Sequence, residues 1–396
     1  MIKIDRINST QINDYSYVSA DIENNGKRIK PWFKIFNSES GNEIDAMLII
    51  NVLPAMSIGN DLVVTDGFIS PKLSKNIEKI QDIYTTWDPK LFKRINIISK
   101  TMVAHTYKEK RGVGSYFTGG VDSFYSLLKN IEEITHIIYV WGLDVKRDNT
   151  VLYPKVSKML SEVAAYYNKA LIEVETNIRD NNMKKIYGIT YMGYYEPYSV
   201  GALLGATGTL LSKYLDKIFI PSSNTYRDLF PAGSHPLTDP LWSSDSIEFF
   251  HDGCEANRFK KIKYIVEKDE NVLGWLRVCG ENRGLTYNCG RCEKCTRTMI
   301  ALRGLQKLST CKQFNNELKL WRVMKIDAAR HVNRLYLQEN LEAIKSIGKD
   351  IKLEFALKIA LSNIFSWGFW KILRHIGKKL RERRHAQLPD NLRQPG

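Results

Sequence analysis

Long uncharged apolar runs are missing from this 396-residue sequence, and no apolar leader follows Met1-Ile2-Lys3-Ile4-Asp5-Arg6. The first absence argues against a membrane-spanning helix. The second argues against export. The expectation is a cytoplasmic protein with no transmembrane segment. Internal repeats and extended low-complexity tracts are also lacking. Cysteine is scarce: there are six, and four of them fall between Cys279 and Cys295. Such clustering in a chain without a leader points to metal binding and away from a disulfide scaffold. What remains is ordinary for a folded chain, with 43% hydrophobic and 26% charged residues. The net charge of +15 favours polyanions: nucleotides, nucleic acid, an acidic protein or an anionic membrane face. Charge alone does not choose among them.

The pattern divides the chain into residues 1–110, 111–309 and 310–396. The first region alternates apolar segments, Ala46-Met47-Leu48-Ile49-Ile50 and Leu62-Val63-Val64, with the turn signal Asp66-Gly67. It reads as β-rich. Ser70-Pro71 opens a helix, with Ser at the N-cap and Pro in the first turn. In the second region, strands at Tyr116-Phe117, 136–141, 171–174 and 217–220 alternate with helices through Leu127, over 151–167 and over 200–214. That alternation predicts an α/β fold, a parallel sheet with helices on both faces. The third region reads as helical and ends in a basic stretch, Arg374, Lys378, Lys379, Arg381, Arg383 and Arg384. Its apolar stripe (Leu357, Leu361, Ile364, Phe365, Trp370) suits a docked helix with a solvated end, an anionic membrane face or a nucleic acid.

Between a strand and a helix lies Phe117-Thr118-Gly119-Gly120-Val121-Asp122-Ser123. Two glycines let the main chain approach a phosphate closely. The free N–H groups at the helix start then face the anion, helped by the helix dipole. Ser123 adds a hydroxyl, and Asp122 is the candidate ligand for Mg2+. The Lys-Ser/Thr pair of a Walker A loop is absent. Two further strand ends, Val140-Trp141-Gly142-Leu143-Asp144 and Ile220-Pro221-Ser222-Ser223-Asn224, make Trp141 and Ser222 candidate nucleotide contacts.

The second motif is Cys279, then Cys289-Gly290-Arg291-Cys292-Glu293-Lys294-Cys295. Four thiolates at this spacing can close a tetrahedron around Zn2+, and four thiolates also suit an iron–sulfur cluster. Arg291, Lys294 and Arg297 would offset the charge of such a site. Cys254 and Cys311 fall outside the pattern.

The first motif resembles the S-G-G-x-D-S signature of the PP-loop ATP pyrophosphatases, with Thr118 for the first Ser. Together the two motifs resemble the 7-cyano-7-deazaguanine synthases, whose cysteine pattern differs by one residue in the first spacer. The resemblance covers residues 113–308. It implies that Thr118, Gly119, Gly120, Val121, Asp122 and Ser123 hold ATP, with Asp122 and Ser123 catalytic. It also implies that a small-molecule carboxylate, 7-carboxy-7-deazaguanine in that family, is adenylated as pyrophosphate leaves. Ammonia then gives an amide, and a second ATP drives dehydration to the nitrile. The usual synthase is far shorter. Some related proteins of bacterial anti-phage operons resemble this enlarged design. In that setting an amine of a partner protein is an alternative acceptor, and the added regions are a candidate partner dock.

For the substrate, the polar loop 224–236 follows a strand end. Asp228 and Asp239 are candidates for the N–H edge of a guanine-like base, Arg227 for a carboxylate or phosphate, and His235 for a further contact. Glu196 is a candidate of the same kind. Ser234, His235 and Asp239 together also have the composition of a hydrolase triad, although nearness in sequence says nothing of triad geometry. Competing readings are a nucleic-acid thiolation enzyme, for which Cys254 would have to handle sulfur, and a non-catalytic nucleotide-binding scaffold subunit.

Overall fold

The computed structural model describes residues 1–99, 103–104, 106–107, 109–180, 187, 196–282, 287–314, 317–348 and 350–364. Phe365, Trp370 and the basic residues from Arg374 to Arg384 lie outside the described residues, as does the side chain of Glu196.

Eleven strands form one mixed sheet: β1 (Ile2–Ile12), β2 (Tyr15–Asn24), β3 (Lys27–Ile29), β4 (Trp32–Phe36), β5 (Leu62–Val64), β6 (Ile97–Ser99), β7 (Gly112–Tyr116), β8 (His136–Trp141), β9 (Ala170–Thr176), β10 (Leu215–Pro221) and β11 (Glu248–Asp252). Their spatial order is β11-β10-β7-β8-β9-β4-β2-β1-β5-β6, with β3 beside β2. From β11 to β9 every pairing is parallel. Strand β4 then pairs antiparallel with β9 and with β2, so the β-rich N-terminal strands extend the same sheet. The change of pattern near residue 110 is therefore not a break in the sheet.

The described helices are α1 (Glu43–Ile58), α2 (Pro71–Trp87), α3 (Val121–Lys129), α4 (Leu152–Tyr166), α5 (Glu196–Leu210), α6 (Arg258–Lys268), α7 (Glu293–Gly304), α8 (Leu320–Met324), α9 (His331–Ile347) and α10 (Ile351–Ser362). They cover both sheet faces. Strand alternation sends Ile138 and Val140 of β8 into one core, shared with α1, α2 and α5. Ile137 and Tyr139 enter the other, shared with α3, α4, α6, α7, α9 and α10. Among the described residues, no helix is long and apolar enough to cross a membrane.

One expected strand is a helix. Ala46-Met47-Leu48-Ile49-Ile50 lies within α1, where every residue from Asp45 to Met56 is buried. The helix packs between β1 and α5. A helix enclosed on all sides has no polar face, so no 3.6-residue period marks it. Helix α2 begins as its sequence predicts: Ser70 Oγ accepts from the Leu73 N–H at 3.3 Å, and Pro71 occupies the first turn.

The strand order decides where a ligand fits. The chain leaves β7 for β8 and β9 on one side, then returns to β10 and β11 on the other. Between β7 and β10 the order reverses. Such a reversal opens a crevice at the carboxyl ends of the strands.

Candidate anion site and metal centre

The Gly-Gly loop occupies that crevice. Gly119 has φ +76°, and a Cβ there would stand 2.6 Å from Met159 Cε. Gly120 is the extended N-cap of α3. Ser123 Oγ donates to the Gly120 carbonyl at 3.0 Å and accepts from the Thr118 N–H at 3.4 Å, which closes the loop on itself. The N–H groups of Val121, Asp122 and Ser123 find no acceptor among the described residues. They sit at a helix start, where the dipole favours negative charge. Beside them is a cavity of about 360 Å³ whose wall includes Thr118, Gly120, Val121, Asp122 and Ser123.

Its lining includes the apolar Ile138, Val140, Leu143, Leu203, Leu204 and Ile220. It also includes the cations Arg179, Arg258, Arg277, Lys294 and Arg297 and the carboxylates Asp122 and Asp144. Arg277 pairs with Asp144. Asp122 Oδ1 lies 3.2 Å from Lys261 Nζ, and Oδ2 lies 3.2 Å from Arg258 Nη1 and from Ser223 Oγ. Burial would raise the Asp122 pKa, but the charges of Lys261, Arg258 and Arg297 outweigh it and hold the carboxyl down at about 2. Asp122 is thus an anchor for two buried cations.

The remaining cations are poorly compensated. Lys294 forms no ion pair among the described residues, and the carboxylate nearest Arg297 is Glu293 at 3.8 Å. Desolvation, and then mutual repulsion among Arg258, Lys294 and Arg297, lowers the pKa of Lys294 and of Arg297. The Nε atoms of Arg258, Arg277 and Arg297 are buried without a hydrogen-bond partner among the described residues. Free helix-start amides, the buried Arg297 and the exposed Lys294, which lacks an ion pair among the described residues, line one cavity and make a site that an anion would neutralise.

The four predicted cysteines converge next to it, and Cys279 itself lines the cavity. Their sulfurs all lie within 4.8 Å of one another. Cys279 and Cys292 are 4.0 Å apart, and Cys289 and Cys295 3.8 Å. Sulfurs at about 2.3 Å from a tetrahedral zinc would be about 3.8 Å apart. The N–H of Cys292 donates to Cys289 Sγ at 3.2 Å, over a turn that Gly290 makes with φ +62°. Asn288 ties the two arms together: its Oδ1 accepts from the N–H of Val278 and Cys279 at 2.9 and 3.2 Å, while its Nδ2 donates to the Leu276 carbonyl at 2.8 Å. The cluster can hold a metal ion such as Zn2+. Cys311 and Cys254 are buried elsewhere, as separate thiols.

Other candidates lie off the cavity wall. The alternation that puts Ile138 and Val140 on the wall turns Trp141 to the opposite face, where its ring stacks on Tyr153 at 3.8 Å. Ser222 is also turned inward, accepting from Cys254 Sγ at 3.2 Å, and its neighbour Ser223 reaches the wall instead. Arg227 pairs with Asp228 at 3.2 Å. Asp239 is fully buried. It binds Ser234 Oγ at 2.7 Å, but the imidazole beside it is His251, whose Nδ1 is 2.7 Å away. His235 packs edge-on against Trp87 and accepts from the Leu237 N–H at 3.1 Å. A Ser234–His235–Asp239 triad, which nearness in sequence does not support, does not form.

Arg258, Lys261, Arg277 and Arg179 were not singled out from the sequence. The available signal was Arg258 and Lys261 at i, i+3 on one helix, and Lys294 and Arg297 at the same spacing on α7. No family model matches the chain, and no curated protein or solved structure matches it.

Proposed function

We propose that this chain is an ATP-using enzyme of the PP-loop class that adenylates a carboxylate and releases pyrophosphate. The observation that carries the reading is the convergence of three unpartnered helix-start amides with Arg258, Lys294 and Arg297 in the lining of the switch-point cavity. The apolar part of the lining suits a flat base, and the cationic part suits phosphates. The Thr118-to-Ser123 motif supports the same reading.

In the proposed reaction a carboxylate oxygen attacks the α phosphorus of ATP. The bond from that phosphorus to the bridging oxygen breaks, and its electrons leave with pyrophosphate. The amides of Val121, Asp122 and Ser123, with Lys294 and Arg297, stabilise the departing charge, and Ser123 fixes the loop. Asp122 keeps Arg258 in the cavity lining. Magnesium bound with ATP would offset phosphate charge; Asp122, its candidate ligand, has both oxygens engaged by Arg258, Lys261 and Ser223. The four cysteines would hold zinc as a structural ion. An amine, either ammonia or one on a partner protein, then attacks the acyl carbon of the acyl-adenylate; the bond from that carbon to the phosphate oxygen breaks, AMP leaves with its electrons, and the nitrogen loses a proton to give the amide. The deazaguanine carboxylate is the substrate that the motif resemblance favours.

The thiolation alternative loses ground, because Cys254 is buried and lies off the cavity wall. Exchange of labelled pyrophosphate into ATP tests the proposal. It should require 7-carboxy-7-deazaguanine and be lost in Lys294→Ala. Exchange without any carboxylate, or none with a panel of carboxylates, would count against it.

A further inference from the structure

Helix α9 belongs to the C-terminal region, which the proposed reaction does not use. It packs on both α6 and α7, the helices that carry Arg258 and Arg297. The Arg297 guanidinium lies over the Tyr336 ring, 4.0 Å from its centre. Helix α9 therefore touches the support of a cavity cation.

We infer that Tyr336 is a positioning residue of the anion site. The inference rests on the reading of the cavity as a phosphate site. A guanidinium stacked on a ring has its plane fixed and its edge N–H groups left available. Without the ring, Arg297 would be free to turn to Glu293, one helical turn back and 3.8 Å away, and its charge would be lost to the ligand. Helix α9 of the C-terminal region thus completes the site.

Calorimetric titration of the full chain with inorganic pyrophosphate provides the test. Tyr336→Leu should weaken binding about tenfold, the scale of a desolvated cation–ring contact, and Tyr336→Phe should restore it. In an Arg297→Ala background, Tyr336→Leu should add nothing, because the two residues act as a unit. A merely structural role predicts additive losses, and that result would overturn the inference. So would Tyr336→Leu binding like wild type. If Tyr336→Leu does not fold, Tyr336→Met, which fills more of the volume without a ring face, takes its place with the same expected loss and the same lack of effect in the Arg297→Ala background. Binding by it like wild type would overturn the inference. A wild-type chain that does not bind pyrophosphate would sink the phosphate-site reading itself. One that binds pyrophosphate without any dependence on Tyr336 would sink only the role of α9.

Discussion

Two residues before Cys279, the backbone N–H of Arg277 donates to the carbonyl of Gly119 across 2.8 Å. Arg277 Nη2 also donates to Asn282 Oδ1 at 2.6 Å, and Asn282 Nδ2 to the Asp144 carbonyl at 2.7 Å. The cysteine cluster and the Gly-Gly loop are therefore joined through one buried arginine. A metal at the cysteines would fix the strap that holds the loop.

The first prediction concerns that metal. Purified protein should carry one zinc per chain by elemental analysis. Cys292→Ser should abolish it and lower Tm by more than about 10 °C, because binding to a structural zinc site is coupled to folding. Pyrophosphate binding should weaken in parallel, since the loop loses its strap. Iron and a visible absorption band in place of zinc would assign the four thiolates to an iron–sulfur cluster.

The second concerns His251. Burial opposes its protonation, but the hydrogen bond to Asp239, with a smaller contribution from Cys254, raises its pKa from 6.5 to about 9. A raised pKa stabilises the fold fully below pH 6.5, and the gain is lost as pH climbs through 9. For a shift of that size the contribution is about 3 kcal/mol. Urea midpoints should show wild type well above Asp239→Asn at pH 6, with the gap closing by pH 9.5. A gap that stays constant would show that the pair does not titrate as described.

Gly119→Ala is the third. A side chain at φ +76° is strained by about 1–2 kcal/mol, and the new Cβ would meet Met159. Met159→Ala should relieve the clash but not the strained φ. Denaturant unfolding should therefore show partial recovery of stability in the double variant. Full recovery would mean that the left-handed conformation is not required.

Periodicity reveals β7, β8, β9 and β10 because each is short and apolar, but it misses β11, whose sequence Glu248-Phe249-Phe250-His251-Asp252 offers only two apolar residues. It fails at Ala46-Met47-Leu48-Ile49-Ile50, since a helix buried on every side carries no stripe to read. It also leaves the joining of the sheets unseen: the β4–β9 pairing links residues about 140 apart, and no local signal records it. Within the site, contiguous motifs are legible and scattered ones are not. The loop and the four cysteines each lie in one stretch. The cationic wall draws Arg258, Arg277, Lys294 and Arg297 from three separate segments, and only the topology brings them together. Trp141 and Ser222 show the remaining limit. Each is adjacent in sequence to a residue on the wall, and strand or loop parity turns each one away.

Product analysis tests the central claim most directly. The full chain would be incubated with ATP, magnesium and 7-carboxy-7-deazaguanine, with and without ammonium, beside Asp122→Ala. Equal amounts of AMP and pyrophosphate, dependent on the carboxylate and lost in Asp122→Ala, are the predicted result. ADP and orthophosphate as products would contradict it, because the loop would then not be acting on the α–β bond.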